Sequence, residues 1–117
     1  MAISFEGIGE VVATFANDAT NPAGCGNPCT IVENGTVALS AERDRFAGVV
    51  IHTRGGKAAV QLKGYVSVAY IGGDPDLGWC RLVADGEGGV KIDITETGNE
   101  YLVVDVDPDN QIVGFML

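Results

Sequence analysis

The stretch that decides the fold is Ala58–Tyr70, which reads AAVQLKGYVSVAY. Apolar side chains alternate with polar ones along it, as they do on a β-strand with one buried face. One strand of this length would extend roughly 43 Å at about 3.3 Å per residue, far more than is usual. Gly64 lies on the apolar face, so we expect a bulge or a sharp bend there, of the kind that turns the corner of a barrel. The apolar face is predicted to comprise Val60, Leu62, Val66, Val68 and Tyr70.

Further β-prone segments lie on both sides of this stretch and are separated by turn-forming residues. Asn34-Gly35 stands between Cys29–Glu33 and Thr36–Leu39, and an Asn-Gly pair in that setting is a strong hairpin signal. Ser40–Arg45 is too short for more than one helical turn, so we expect it to be a connector. The other predicted strands are Glu10–Phe15, Phe46–Thr53, Trp79–Ala84, Val90–Thr95, Glu100–Val106 and Gln111–Leu117.

About nine short strands without a credible helix predict an all-β fold, either a small antiparallel β-barrel or a barrel-like sandwich. The expected bend at Gly64 favours the barrel. The chain has 117 residues, which is enough for one packed core, so residues 1–117 are expected to form a single β-barrel domain. The 17 glycines fit this prediction, because tight turns between strands need residues that adopt positive φ.

The chain is acidic, with 16 Asp and Glu against 7 Lys and Arg and a formal net charge of −9. Such a field repels phosphate backbones and anionic lipid headgroups, so neither nucleic acid nor a membrane is expected as a partner. The N-terminal residues lack the basic and apolar regions of an export signal. Together with the odd number of cysteines, 3, this predicts a cytoplasmic site of synthesis and reduced thiols.

The cysteines and the single histidine are candidates for a zinc site. Cys25 and Cys29 have C-x₃-C spacing, and Cys80 with His52 would complete a Cys₃His set for a tetrahedral ion. The alternative for Cys80 is a small core residue, and for His52 a structural imidazole in phase with the buried face of its strand. A disulfide between Cys25 and Cys29 would require oxidising conditions. A zinc-binding or small-ligand barrel is therefore the alternative function.

Two other patterns bear on possible chemistry. Asp105, Asp107 and Asp109 resemble the start of a calcium loop, but Met116 stands where that loop needs a bidentate glutamate, and Pro108 suits a hairpin turn. No nucleophile motif such as G-x-S-x-G accompanies the histidine. We therefore expect no enzymatic activity and no cofactor.

Aromatic and C-terminal apolar residues are candidates for binding surfaces. Trp79, Tyr65, Tyr70 and Tyr101 could line a sugar or peptide groove, although the core or an interface is the simpler place for them. The last residues stay apolar, whereas a free tail would turn polar, so they are expected in the core or at an interface. The interface candidates are Val113, Phe115, Met116 and Leu117.

Four segments, in this order, carry a resemblance to a known family: GNPCTIV at 26–32, NGTVAL at 34–39, FAGVVI at 46–51 and VQLKGYVSV at 60–68. They resemble the small β-barrel head decoration and capsid-fibre proteins of tailed phages and prophages. The resemblance implies a non-enzymatic structural protein that ends in the virion. It also implies a homo-oligomer, commonly a trimer, that binds a lattice of major capsid protein or another virion protein.

Overall fold

The computed structural model describes residues 10–95 and 98–117, and these residues form ten β-strands and no helix. The first five strands are β1 (Val11–Asn17), β2 (Pro28–Glu33), β3 (Thr36–Leu39), β4 (Gly48–Arg54) and β5 (Lys57–Lys63). The other five are β6 (Tyr65–Ala69), β7 (Gly78–Ala84), β8 (Val90–Ile92), β9 (Glu100–Asp107) and β10 (Ile112–Met116). The prediction of an all-β fold is confirmed. The described residues contain no helix long and apolar enough to cross a lipid bilayer.

The strands form two sheets of five. In the first sheet, β1-β3-β2-β4-β5 closes into a barrel because β1 pairs with β5. Its β1 and β3 are parallel, and its other pairs are antiparallel. In the second sheet the order is β6-β10-β9-β7-β8, with antiparallel pairing throughout. The structure thus contains the predicted barrel and adds a second sheet to it.

Gly64 is the point at which the chain passes from one sheet to the other. Its φ is +105°, a conformation that L side chains rarely adopt, and it separates the end of β5 from the start of β6. A Cβ at this position would lie 3.0 Å from the Cγ of Glu10 and 3.0 Å from the Nε2 of Gln61. The predicted bend is confirmed, and its effect is to send the two halves of the alternating stretch into two different cores.

The larger core lies against the inner face of the second sheet and includes residues from outside it. Phe46 and Val49 from the barrel half belong to this cluster. The ring of Phe46 stacks on Tyr101 with centroids 5.3 Å apart and meets Phe115 edge-on at 6.1 Å. These contacts join the two halves of the chain into one packed unit. A smaller cluster consists of Ala23, Cys29, Val37, Val50, Ala58 and Val60, with Phe15, Leu39 and Leu62 packed against it.

Gln61 departs from the alternation, because it falls in the polar phase of its strand yet is only 4% exposed. It is paired with Val49, which belongs to the larger core, so this part of the barrel exterior is covered. Its Nε2 donates hydrogen bonds to the carbonyl oxygens of Lys63 at 3.1 Å and Tyr65 at 3.0 Å. The buried amide therefore stabilises the corner at Gly64 from inside.

Candidate functional site: the outer face of the second sheet

An apolar row crosses the outer face of the second sheet. Trp79 on β7 is opposite Leu102 on β9, which is opposite Met116 on β10, which is opposite Tyr65 on β6. Residues in register on neighbouring strands share a face of the sheet. The chain neighbours of these residues point the other way, into the larger core, so the row faces outward. The inward neighbours are Cys80, Tyr101, Val103, Phe115 and Val66. Trp79, Leu102, Met116 and Tyr65 are referred to below as the outer row.

The outer row is most exposed at its β7 end. Trp79 is 68% exposed, while the other three members are half-buried. Beside it lies a shallow concavity of about 540 Å³, to which Leu117 adds further apolar surface and Lys63 and Glu100 add one charge of each sign. Because tryptophan is large and mostly apolar, such exposure beside other apolar side chains is typical of a surface that another molecule covers.

Tyr65 holds the β6 end of the row in place. Its ring lies over Gly114 on β10, where a Cβ would stand 2.2 Å from the tyrosine hydroxyl oxygen, and this hydroxyl donates to Oδ2 of Asp105 on β9 at 3.0 Å. Desolvation raises the pKa of Tyr65, and the Asp105 carboxylate adds to the effect. The glycine therefore lets an aromatic ring bridge three strands, and no local sequence signal pointed to this role.

Beyond Tyr65 the same face becomes acidic. Asp105 and Asp107 are opposite Gly114 and Ile112, on the outward side of β9. Asp107 accepts hydrogen bonds from Nδ2 of Asn110 at 2.9 Å and from its backbone N at 3.3 Å, and these bonds lower the pKa of Asp107 and close the predicted turn.

The loop after β6 brings Asp74 to the same end. It accepts the hydroxyl of Tyr70 at 2.6 Å and raises the pKa of that group to about 12, with a smaller contribution from Asp107. With the exposed Asp109 of the β9–β10 turn, four carboxylates lie in this part of the molecule. Asp74, Asp105, Asp107 and Asp109 are referred to as the acidic end.

The residues of the predicted zinc set lie in different environments. Cys25 is exposed and its Sγ donates to the carbonyl oxygen of Ile51 at 3.1 Å. Cys29 belongs to the smaller core, where burial raises its pKa to about 11, and Cys80 belongs to the larger core, as its phase predicted. All three are free thiols. Within 10–95 and 98–117, neither this set nor the aspartate run forms a group of three side chains that could hold a metal ion.

His52 is exposed on β4, so its interpretation as an imidazole in phase with the buried face is wrong. The reason is a bulge, because Val50 pairs with Val60 and His52 pairs with Ala59, which leaves Ile51 without a partner. One extra residue reverses the alternation of the strand after it.

A basic pair lies at the end of the β4–β5 hairpin. Arg54 and Lys57 are exposed and directly opposite one another, joined by Gly55 and Gly56 with φ values of +56° and +77°. The one ion pair found in the described part of the chain joins Lys91 to Glu42. Neither Arg54 nor Lys57 therefore has an acidic partner there. Arg54 and Lys57 are referred to as the basic tip.

The other predicted surface residues divide between core and surface. Val113 and Phe115 are fully buried within the chain, as are Tyr70 and most of Tyr101. Met116, a member of the outer row, and Leu117 beside it remain partly exposed. Of the predicted candidates, the aromatic residues that reach the outer face are therefore Trp79 and Tyr65. Leu102 was missed, although its phase opposite to Tyr101 and Val103 was the signal that could have found it.

A second concavity, of about 370 Å³, lies between the loop after β6 and strand β8. Its lining is mostly apolar, its charged members are Arg43, Lys91 and Asp93, and Lys91 is paired with Glu42. Such a volume is at the lower end of the range for small-molecule sites. Its apolar lining residues include Ile71, Val83, Ile92 and Ile94.

The described surface thus offers an apolar row, an acidic end and a basic tip. The row suits the apolar side chains of a macromolecular partner, and the two charged features suit groups of opposite sign. No protein-family model matches the chain, and no curated protein is significantly similar to it.

Proposed function

We propose that this protein is a non-enzymatic structural component of a phage or prophage virion, which self-associates and decorates or stabilises the capsid lattice. The observation that carries the self-association is the outer row, where Trp79 is 68% exposed beside three half-buried apolar or aromatic side chains. The proposed occupant of this face is a second copy of the chain. The virion context is supported by the resemblance of segments 26–32, 34–39, 46–51 and 60–68 to head decoration and capsid-fibre proteins.

The size of the face is compatible with this proposal. Five strands about 4.8 Å apart, each with about five residues at about 3.4 Å, give a projected area of roughly 400 Å². A specific interface buries about 800 Å² per partner. The sheet face can supply a large part of such an interface, and elements outside it must supply the rest.

The self-association is tested by the oligomeric state in solution, measured by sedimentation velocity over a range of concentrations. The wild-type protein is expected to sediment as an oligomer, and Trp79→Ser is expected to shift it to the monomer. Ile31→Ser is the matched control, because Ile31 is 48% exposed on β2, which belongs to the barrel and not to the second sheet. A wild-type monomer at the highest soluble concentration, or equal effects of both substitutions, would refute the proposal.

The virion context is tested separately by the position of the gene. It is expected among genes for portal, prohead protease and major capsid proteins. A position among metabolic genes would contradict this part of the proposal and leave the self-association standing.

The second candidate function, small-ligand binding, is favoured by the concavity of about 370 Å³ beside β8. An apolar lining that includes Arg43, which forms no ion pair with a described residue, suits a small amphiphilic carboxylate. Titration calorimetry with octanoate is expected to give saturable binding that Ile92→Asp abolishes and Ile31→Asp does not. The absence of heat beyond dilution in the wild type would exclude this class of ligand.

A further inference from the structure

Charge is divided unevenly between the two halves of the chain. Residues 10–63, which contain the barrel, carry five acidic and five basic residues. Residues 65–117, which contain the second sheet, carry ten acidic and two basic residues, a formal charge of −8. Nearly all of the net negative charge of the protein therefore belongs to the half that bears the outer row.

The basic tip, in the barrel half, carries two adjacent positive charges. Arg54 and Lys57 face one another directly across a two-glycine turn, and like charges in that position destabilise a hairpin. Within the described residues no carboxylate forms an ion pair with either. An acidic surface placed against the tip would relieve the repulsion between the two side chains.

The acidic end has the complementary arrangement. Asp105 and Asp107 lie on the outward side of β9, and neither they nor Asp74 and Asp109 form an ion pair with a described residue. The tip precedes β5 and the acidic end lies where β6 finishes, because Ala69 and Asp107 both pair with Ile112. The two charged regions thus stand at opposite ends of the path from β5 through Gly64 to β6.

We infer that the basic tip of one copy docks against the acidic end of the outer face of a second copy. The inference rests on the proposed self-association and names the part of the neighbouring copy that covers the acidic end of the face. Such a contact joins two different surfaces, so it is heterologous and repeats from copy to copy. It generates a closed ring when the rotation between copies closes, and an open fibre when it does not.

Each molecule carries a net charge of −9, but salt screens the overall repulsion between two copies more than it screens the attraction between groups in direct contact. The Debye length is about 8 Å at physiological ionic strength. The molecule measures 35 × 33 × 23 Å, so charges on its far side are largely screened and the facing groups decide the interaction. Nucleic acid is a poorer partner for the tip, because two cations neutralise few phosphates while the rest of the chain repels the backbone.

The experiment is a charge exchange followed by sedimentation velocity. Arg54→Glu/Lys57→Glu makes the tip acidic. Asp74→Asn/Asp105→Asn/Asp107→Asn/Asp109→Lys changes the formal charge of the other end from −4 to +1, and each Asn keeps an acceptor oxygen for Tyr70, Tyr65 or Asn110. Each variant alone is expected to associate at least about tenfold more weakly than the wild type, and an equimolar mixture is expected to recover association. Arg54→Lys/Lys57→Arg is the matched control and is expected to associate like the wild type. Equal melting temperatures establish that each variant is folded.

The outcomes separate this inference from the proposed function. If Trp79→Ser dissociates the oligomer and the Glu variant of the tip does not, the tip contact is wrong and the self-association stands. If each charge variant dissociates and the mixture stays monomeric, the acidic end is not the receptor and the inference is overturned. A wild-type monomer overturns both. A wild-type protein that shifts duplex DNA at physiological salt through the basic tip would replace the protein partner with nucleic acid.

Discussion

Replacing Gly114 with alanine has two opposing effects on stability: the unfolded chain loses conformational freedom, and the folded chain loses the packing of the Tyr65 ring. The φ of Gly114 is in the ordinary negative range, so the backbone accepts alanine, and the unfolded chain loses freedom worth about 0.7 kcal/mol in favour of the folded state. The new methyl group, however, would stand 2.2 Å from the hydroxyl oxygen of Tyr65. Because no such contact is tolerated, the ring must move away from the sheet.

The loss of stability follows from the contacts that the Tyr65 ring makes. Moving it breaks the hydrogen bond from Tyr65 to Asp105, worth about 1.5 kcal/mol for a partly exposed charged acceptor. It also exposes on the order of 50 Å² of apolar surface, worth about 1.2 kcal/mol at about 25 cal/mol per Å². Against the gain in chain entropy, Gly114→Ala is expected to destabilise the protein by about 2 kcal/mol.

The same substitution should change sign when the ring is absent. In a Tyr65→Ala background nothing occupies the space over residue 114, so alanine is expected to stabilise the protein by about 0.7 kcal/mol. Urea unfolding of the four proteins in this double-mutant cycle gives the coupling free energy, expected near 2.7 kcal/mol. If Gly114→Ala has the same effect in both backgrounds, the ring does not lie over the glycine, and the account of the outer face is wrong.

Four further predictions follow from the packing and the pKa shifts. Phe46→Ala is expected to lower the free energy of unfolding by about 3–5 kcal/mol in urea melts, because the ring packs against both Tyr101 and Phe115. Gly64→Ala is expected to lower the free energy of unfolding by about 1–3 kcal/mol in the same assay, because the φ of Gly64 is +105°. Gly73→Ala is the control, since the φ of Gly73 is ordinary, and an equal loss there would contradict that cause. The hydrogen bond to Asp74 raises the pKa of Tyr70 to about 12 from an ordinary value near 10. The stability that this bond provides is therefore fully present below pH 10 and is lost as the pH rises through 12. The melting temperature of Tyr70→Phe, measured against pH, should lack this loss. Iodoacetamide at pH 8 is expected to label Cys25 in the native protein and to spare Cys29, which is buried and has a pKa of about 11, and equal labelling measured by mass spectrometry would contradict the burial.

Local alternation predicted the strands well because a half-buried strand imposes a period of two on its own residues. It could not assign them to sheets. The even-numbered residues on both sides of Gly64 point inward, yet Val60 belongs to the smaller core and Val66 to the larger one. The pattern of a strand records that one face is buried and holds no information about which partner buries it.

The misassigned residues share a physical cause, which is that their environment is set by another strand. His52 is exposed because an unpaired Ile51 shifts the register against β5, and Gln61 is buried because Val49 and the second sheet cover that side of the barrel. The zinc set failed similarly, since spacing along the chain does not fix the distance between Cys29 and Cys80 in separate cores. Trp79 was among the candidates for a groove, a core or an interface, and the structure places it on the outward side of β7, opposite in phase to the buried Cys80.

The passage of the chain from barrel to second sheet also explains why the surface is polarised. Each sheet buries one set of alternate residues, so the remaining set must face solvent or a partner. On β9 that outward set contains Leu102, Asp105 and Asp107, which makes one strand apolar near the outer row and acidic at its end. At the end of the β4–β5 hairpin the outward residues are Arg54 and Lys57. The basic tip precedes β5 and the acidic end lies where β6 finishes, so these two cations stand at the opposite end of the path through Gly64 from the carboxylates. That arrangement favours contact between unlike ends of neighbouring copies over contact between like ends.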